Sequence, residues 1–200
     1  MSALRKLMLA AALATTASPL SAQSSLKFTD AGNVTAFGYF VGEYHGTIDG
    51  SPADLFCVDF LHRVSGGQQW QANMTSLAGS PDLSNTRAGS LVLYQKAAWL
   101  TAQFATVSPA QWGDLQVTIW GLFTNTAPTP SSSYWLDLAN ANYSTFDYSA
   151  YVVVTDVNRL DANSVQEFIT VTPEPAEVVL LGTGLFGIVL TTGVMRRRIA

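Results

Sequence analysis

The feature that most constrains this chain is its C-terminal tail, where a Pro-Glu-Pro tripeptide precedes an uncharged apolar run and a block of three arginines. The run covers residues 178–195 and would extend ~27 Å as an α-helix, enough to cross a thin hydrocarbon core. Arginines that follow a membrane span stay on its cytoplasmic side. The sequence therefore predicts a transmembrane helix over 178–195 and places the preceding chain outside the cytoplasm.

The N-terminal end also indicates export. Arg5 and Lys6 precede a short apolar segment, residues 7–14, which is too short to span a membrane as a stable anchor. Small residues around Ala22 offer a cleavage site. We predict a signal peptide over 1–22, with an uncleaved N-terminal anchor as the alternative, and a single extracellular domain over 23–172.

The tail, with a predicted sorting signal over 173–200, closely resembles the PEP-CTERM sorting signal of Gram-negative bacteria over about 30 residues. The matching residues are Val171-Thr172-Pro173-Glu174-Pro175, the Leu/Gly-rich segment 180–187, and Arg196, Arg197 and Arg198. The resemblance implies an exosortase-type sorting enzyme and secretion machinery as partners. It also implies anchorage in the inner membrane before sorting and delivery to the cell surface or exopolysaccharide matrix. An ordinary C-terminal membrane anchor is the alternative.

The charge of the predicted domain excludes some functions. Residues 23–172 hold five basic and twelve acidic side chains, a net charge of −7, and no basic cluster. Such a domain is a poor candidate for binding nucleic acid or anionic lipid. All five tryptophans and all seven tyrosines lie in it, so it can form an aromatic core.

The pattern along the domain predicts strands followed by helices and then strands again. Apolar alternation and turn signals predict strands over 26–30, 34–44, 54–61, 150–157 and 166–171, with a polar loop over 65–86 that contains one short strand near Trp70. Helical spacing predicts helices over 88–104, from Ser108-Pro109 onward, and over 134–142. This order indicates an α+β fold, a β-sandwich or barrel with a helical insertion at about 87–142.

Cys57 is the only cysteine of the chain, so no disulfide can form within it. A lone cysteine in an exported protein calls for an explanation: pairing between molecules, a reactive thiol or a small buried side chain. It lies in the predicted strand 54–61, with Leu55, Asp59 and Leu61 on its own face.

Three local patterns resemble the thioester domains of bacterial surface adhesins over about residues 50–125. They are Leu-Phe-Cys-Val-Asp at 55–59, Tyr-Gln-Lys-Ala-Ala-Trp-Leu at 94–100 and Leu-Gln-Val-Thr-Ile-Trp at 115–120. Leu115 and Thr118 stand where the family motif has threonine and alanine. The resemblance implies a thioester between Cys57 and Gln116, formed when the cysteine sulfur displaces ammonia from the glutamine side chain. An external nucleophile, usually an amine on a surface or matrix polymer, then displaces the sulfur.

This chemistry is acyl transfer without turnover, so we expect no enzyme activity, no cofactor and no metal. A thioester must lie in a rigid, water-poor pocket because hydrolysis would otherwise destroy it. The candidate pocket residues are Phe56, Asp59, Trp99, Trp112 and Trp120.

Other interpretations of the same residues stay open at this point. Cys57 could be a buried core thiol and Gln116 an ordinary polar residue, in a matrix protein that is structural or binds glycans without a covalent bond. His62 or His45 could act as the base for a nucleophilic Cys57. Acidic side chains such as Asp49 and Asp54 could bind a cation, although no calcium-loop spacing is present.

Overall fold

The structure, a computed structural model, describes residues 23–172. The predicted signal peptide and the predicted transmembrane helix both lie outside these residues. Within 23–172, no helix combines the length and apolar character needed to cross a membrane.

Eight strands and three α-helices make up the described chain. In chain order the strands are β1 (Gln23–Asp30), β2 (Thr35–Ala36), β3 (Tyr39–Phe40), β4 (Glu43–Ile48), β5 (Ser51–Cys57), β6 (Gln69–Ser76), β7 (Tyr151–Asp156) and β8 (Phe168–Val171). The helices are α1 (Leu91–Gln103), α2 (Trp112–Phe123) and α3 (Tyr134–Asn142). Six strands close into an antiparallel barrel in the order β1-β4-β5-β8-β7-β6, and β2 and β3 form a separate hairpin.

This architecture confirms the predicted α+β class and, of the two predicted forms, it is the barrel. All three helices fall between β6 and β7, inside the predicted insertion at 87–142. Pro109 begins a short 3-10 turn that leads into α2, consistent with the predicted helix start after Ser108.

Three strand predictions were wrong in their extent. The segment 34–44 is not one strand, because Phe37 and Gly38 adopt positive φ values of 54° and 81° and turn the chain back between β2 and β3. The predicted strand 54–61 begins earlier, at Ser51, and ends at Cys57. The short strand predicted near Trp70, within the predicted loop 65–86, is the eight-residue strand β6, which is longer than expected because residues 69–73 pair with β1 and residues 72–76 pair with β7.

The turn at Asp49 and Gly50 fixes the register of β4 against β5. Both residues have positive φ, 51° and 83°, and Ile48 pairs with Ser51 across a two-residue loop. This is the geometry that Asp-Gly favours in a tight hairpin. The register then continues to Glu43 opposite Phe56, at the end of the ladder where Cys57 lies.

The buried side chains form two clusters that share β5. Leu55 and Cys57 belong to the barrel cluster, which fills the barrel interior, whereas Phe56 and Val58 belong to the helix cluster, which packs the outer wall of the barrel against the helices. This division confirms the predicted alternation of faces at 55–58. Helix α2 contributes to both clusters, so its buried face lies where they meet.

Candidate functional site

The side chain of Gln116 lies fully buried between the ends of β4 and β5. Its Nε2 donates a hydrogen bond of 2.7 Å to the carbonyl oxygen of Cys57, and its Oε1 accepts one of 3.4 Å from the backbone N–H of Gly42. Bond lengths then place the carboxamide carbon within about 4 Å of the Cys57 carbonyl oxygen. The structure therefore brings together the two residues that the sequence paired.

The backbone register explains why a glutamine fits there. Extending the pairing of Glu43 with Phe56 by one residue would set Gly42 opposite Cys57. The two strands part at this point, and the carboxamide takes the place of a direct hydrogen bond between them. A primary amide carries one donor and one acceptor side, as a peptide group does, so both strand ends are satisfied.

Helix α2 sets the position of Gln116. Leu115 and Ile119 pack in the helix cluster, whereas Val117 and Trp120 pack in the barrel cluster. The side chain between these two rows points at the junction of the clusters, where Cys57 ends its strand. Because Trp112 and Trp120 are each one helical turn from Gln116, the three side chains lie on the same face of α2, as the sequence predicted.

The Cys57 thiol is buried and protonated. Its Sγ donates to the backbone carbonyl of Asp59 at 3.3 Å. Burial raises the pKa of the thiol to about 12 from 9.0. The nearby indole N–H of Trp120 lowers this pKa in part. Among the described residues, that N–H makes no hydrogen bond of ordinary geometry. A thiol in this state is unreactive toward solutes, so any reaction must be with a group held beside it.

Aromatic rings close the barrel side of the site. Trp120 is 2% exposed, and its ring lies 5.8 Å from that of Tyr39 and 5.1 Å from that of Phe60. Tyr39 and Phe60 also contact each other at 5.1 Å. These three rings, the aromatic triad, belong to or pack against the barrel cluster that contains the Cys57 side chain.

The five predicted pocket residues do not form one wall. Trp112 packs against both clusters and Trp120 lies in the barrel cluster with Cys57. Phe56 and Trp99 instead lie in the helix cluster, on the other side of β5. Asp59 meets the thiol through its backbone carbonyl only.

The carboxylate of Asp59 has a different role. It accepts from His62 Nδ1 at 2.7 Å and pairs with Arg87 Nε at 3.0 Å. Arg87 also donates to Ser164 Oγ and the Val165 carbonyl, both at 2.8 Å, which ties the start of the helical insertion to the segment before β8.

The histidines give no support to a cysteine–histidine pair. His62 is bound to Asp59, and His45 Nδ1 lies 3.2 Å from Asp54 Oδ1 on the exposed face of the β4–β5 ladder. Neither forms a hydrogen bond with the Cys57 thiol. Within the part of the chain that the structure describes, no group of three or more potential ligands is placed to hold a metal ion.

Sequence reasoning missed four residues at the site: Tyr39 and Phe60 of the aromatic triad, and Gly42 and Tyr44. Gly42 has a φ of 99°, and a Cβ there would overlap the Trp112 ring, so only glycine lets the Gly42 N–H approach Gln116. Tyr44, buried beside the thiol, donates to the Phe40 carbonyl at 3.0 Å, and burial raises its pKa. Gly42 is visible in the sequence as a candidate turn residue, but its partner, Gln116, lies 74 residues away and could not be predicted from local pattern.

Comparison with protein-family models, with curated proteins and with solved structures found no match.

Proposed function

We propose that this chain is an exported cell-surface or exopolysaccharide-matrix protein whose barrel domain forms an internal thioester between Cys57 and Gln116. The observation that carries the proposal is the buried Gln116 carboxamide, held by Gly42 and by the backbone of Cys57 itself. The amide thus contacts the backbone of the only cysteine in the chain, whose side chain is also buried.

Thioester formation needs an attacking sulfur, a polarised carbonyl and a path for the leaving nitrogen. The sulfur of Cys57 bonds to the Gln116 carboxamide carbon, the C–N bond breaks, and the thiol proton leaves with the nitrogen as ammonia. The Gly42 N–H already binds the oxygen on which negative charge develops, as an oxyanion donor does. No electrons are gained or lost, so no redox partner is required.

The same geometry favours an amine as the final acceptor. Loss of ammonia removes the N–H that Cys57 O accepts, and an unpaired buried carbonyl costs ~1–3 kcal/mol. Attack by a primary amine breaks the thioester, returns a proton to the sulfur and leaves a secondary amide. That amide again carries one N–H for the Cys57 carbonyl, whereas an ester formed from a hydroxyl carries none.

The test is the mass of the protein purified fresh from a host that exports it. We expect a mass one ammonia below that of its processed sequence. Methylamine should add to the protein, and tryptic digestion should locate it on the 97–159 peptide, which contains Gln116.

Two variants control this experiment. Cys57→Ala should have its full sequence mass and take up no methylamine. Gln111→Ala removes an exposed glutamine from the same peptide and should behave as the wild type. Full mass in fresh wild-type protein, with a thiol that titrates after unfolding and no methylamine uptake, would rule out the thioester.

The second candidate is a non-covalent structural or glycan-binding matrix protein. Its support is that both polar ends of Gln116 already have partners, so the amide can serve simply to join β4 and β5. It predicts the full mass and a free thiol, so the same measurement separates the two.

A further inference from the structure

An open cleft of about 630 Å³ lies at the end of the barrel beside the candidate thioester. We call it the barrel-end cleft; its walls include Tyr39, Phe40, Tyr44, Phe60, Arg63 and Trp120. Its volume is within the range of small-molecule sites, roughly 300–1,000 Å³. Two of these side chains, Tyr44 and Trp120, are also neighbours of the Cys57 thiol. A molecule in the cleft would therefore contact side chains that also neighbour the thiol.

Six of the residues that line the cleft are aromatic. They include the aromatic triad and Phe40, which is 50% exposed. Exposed aromatic surface beside a polar opening binds flat, partly apolar faces. A pyranose ring presents such a face, with C–H groups on the ring and hydroxyls around its edge.

Arg63 adds hydrogen-bond donors that need oxygen acceptors. Its guanidinium lies 5.6 Å from the centre of the Tyr39 ring, and among the described residues it pairs with no carboxylate. A guanidinium that lies over an aromatic ring can still donate hydrogen bonds through the N–H groups at its edge. The hydroxyls of a sugar supply acceptors for these donors, whereas the alkyl chain of a lysine supplies none.

Charge favours a cationic polymer over an acidic one. The predicted domain carries a net charge of −7, and Asp30 also lines the barrel-end cleft. This field attracts ammonium groups from a distance and repels uronic acids and phosphates.

We propose that the barrel-end cleft binds a polymer of amino sugars with free amino groups and presents one of these amines to the Cys57–Gln116 thioester. This inference rests on the proposed function. The sugar nitrogen bonds to the Gln116 acyl carbon, the carbon–sulfur bond breaks, and the nitrogen's proton returns to Cys57. The product is an amide that joins the protein to the glycan, and opening of the aromatic triad admits the amine.

The experiment compares three amines on fresh wild-type protein at equal concentrations of free amine: methylamine, a glucosamine trimer and a lysine-containing tripeptide. Mass spectrometry follows the growth of each adduct. We expect the trimer to add at least about tenfold faster than methylamine, the gain that one or two stacking contacts provide. The ratio of the two rates is the readout.

Variants test whether the cleft is responsible. Phe60→Ala and Arg63→Ala should each lower the trimer-to-methylamine ratio by severalfold or more. The matched controls are Leu61→Ala, which removes a neighbouring exposed side chain, and Lys96→Ala, whose cation lies 5.2 Å from the Tyr143 ring elsewhere. Both controls should keep the wild-type ratio.

The outcomes separate this inference from the function on which it rests. If methylamine adds but the trimer adds no faster, the amino-sugar inference is wrong and the thioester stands. A tripeptide that outpaces the trimer, with the same dependence on Phe60 and Arg63, would assign the cleft to protein amines instead. If no amine adds, both proposals fail.

Discussion

At the scale of single residues, the properties of Cys57 and Gln116 come from what surrounds them. The thiol is held in its neutral form by burial, and the amide is held by two backbone groups that belong to different strands. A cysteine and a glutamine, each common as a core or surface residue, become a candidate pair because the fold holds the amide against the backbone of the cysteine. Burial also makes the ionisation of Cys57 measurable as a change in stability.

Alkaline pH should destabilise the form of the protein that holds a free thiol. The pKa of Cys57 is about 12 in the folded protein and 9.0 ordinarily, so above pH 9 the unfolded chain loses a proton that the folded chain keeps. The contribution of the neutral thiol to the free energy of unfolding is complete below pH 9. It is lost at about 1.4 kcal/mol per pH unit as the pH rises toward 12. The measurement is the free energy of unfolding of the wild type minus that of Cys57→Ala, from pH 7 to 10.5.

The intact thioester provides the internal control for this pH dependence. Its sulfur carries no proton, so the difference between wild type and Cys57→Ala should then be flat across the same pH range. A flat difference in protein shown by mass to hold a free thiol would contradict the buried position of Cys57.

At the scale of elements, the site depends on a hairpin that the residue pattern did not indicate. The β2–β3 hairpin carries Tyr39 and leads into Gly42, and it packs on α2 so closely that a Cβ on Gly113 would lie 2.7 Å from Ala36 Cβ. The apolar alternation of 34–44 predicted a single strand. Two positive φ values at Phe37 and Gly38 instead bend the segment over the end of the barrel.

Substitution of Gly42 should disrupt both the hairpin and the site. In Gly42→Ala the new methyl group would meet the Trp112 ring, and the residue would also be held at a φ of 99°. We expect a loss of roughly 2–4 kcal/mol in the free energy of unfolding, since overpacking and backbone strain add. Thioester formation, measured by mass, should fall with it.

Gly38→Ala is the matched comparison for Gly42→Ala. Gly38 also has positive φ, 81°, but a Cβ there meets no atom within 4 Å. Gly38→Ala should therefore lower the free energy of unfolding by only about 1 kcal/mol, because backbone strain acts without any clash. Equal losses in the two variants would show that the contact with Trp112 does not govern the site.

At the scale of the whole molecule, the proposed function joins a reactive domain to an export route. The predicted signals at both ends lie outside the described residues. The N-terminal signal rests on two basic residues, a short apolar segment and a cleavage site, and the C-terminal signal rests on the order of a tag, an apolar run and arginines. A covalent acyl group is useful only where an acceptor polymer exists, so export and thioester support a single interpretation. The sorting part can be tested by itself.

Replacing the Pro-Glu-Pro tag at 173–175 with three alanines should stop sorting without affecting the barrel. If an exosortase-type enzyme reads the tag, the variant should remain in the inner-membrane fraction with its tail attached, while the wild type reaches the surface or matrix. Fractionation followed by detection of the domain and of the tail measures this. Leu160→Ala, at a position that is 88% exposed and outside the tag, is the control. Equal surface delivery of the tag variant would count against the sorting proposal.

The sequence alone determined the features that depend on neighbours along the chain. Period-two and helical spacing placed the barrel strands at both ends and the helices between them, and the Asp-Gly turn fixed one register. The helical spacing of Trp112, Gln116 and Trp120 also predicted that these side chains lie on one face of α2. These are local properties, since a few successive residues set the backbone angles and the buried face.

Only the tertiary structure decided how the site is closed. Gly42 contacts Gln116 from 74 residues away, and Tyr39 and Phe60 contact the ring of Trp120. Phe56 and Trp99 lie in the helix cluster, on the other side of β5 from Cys57. Asp59, predicted as a pocket group, pairs with Arg87 and His62 instead. The physical reason is that a contact between distant residues depends on how the barrel closes and where α2 crosses it, and no local pattern encodes either.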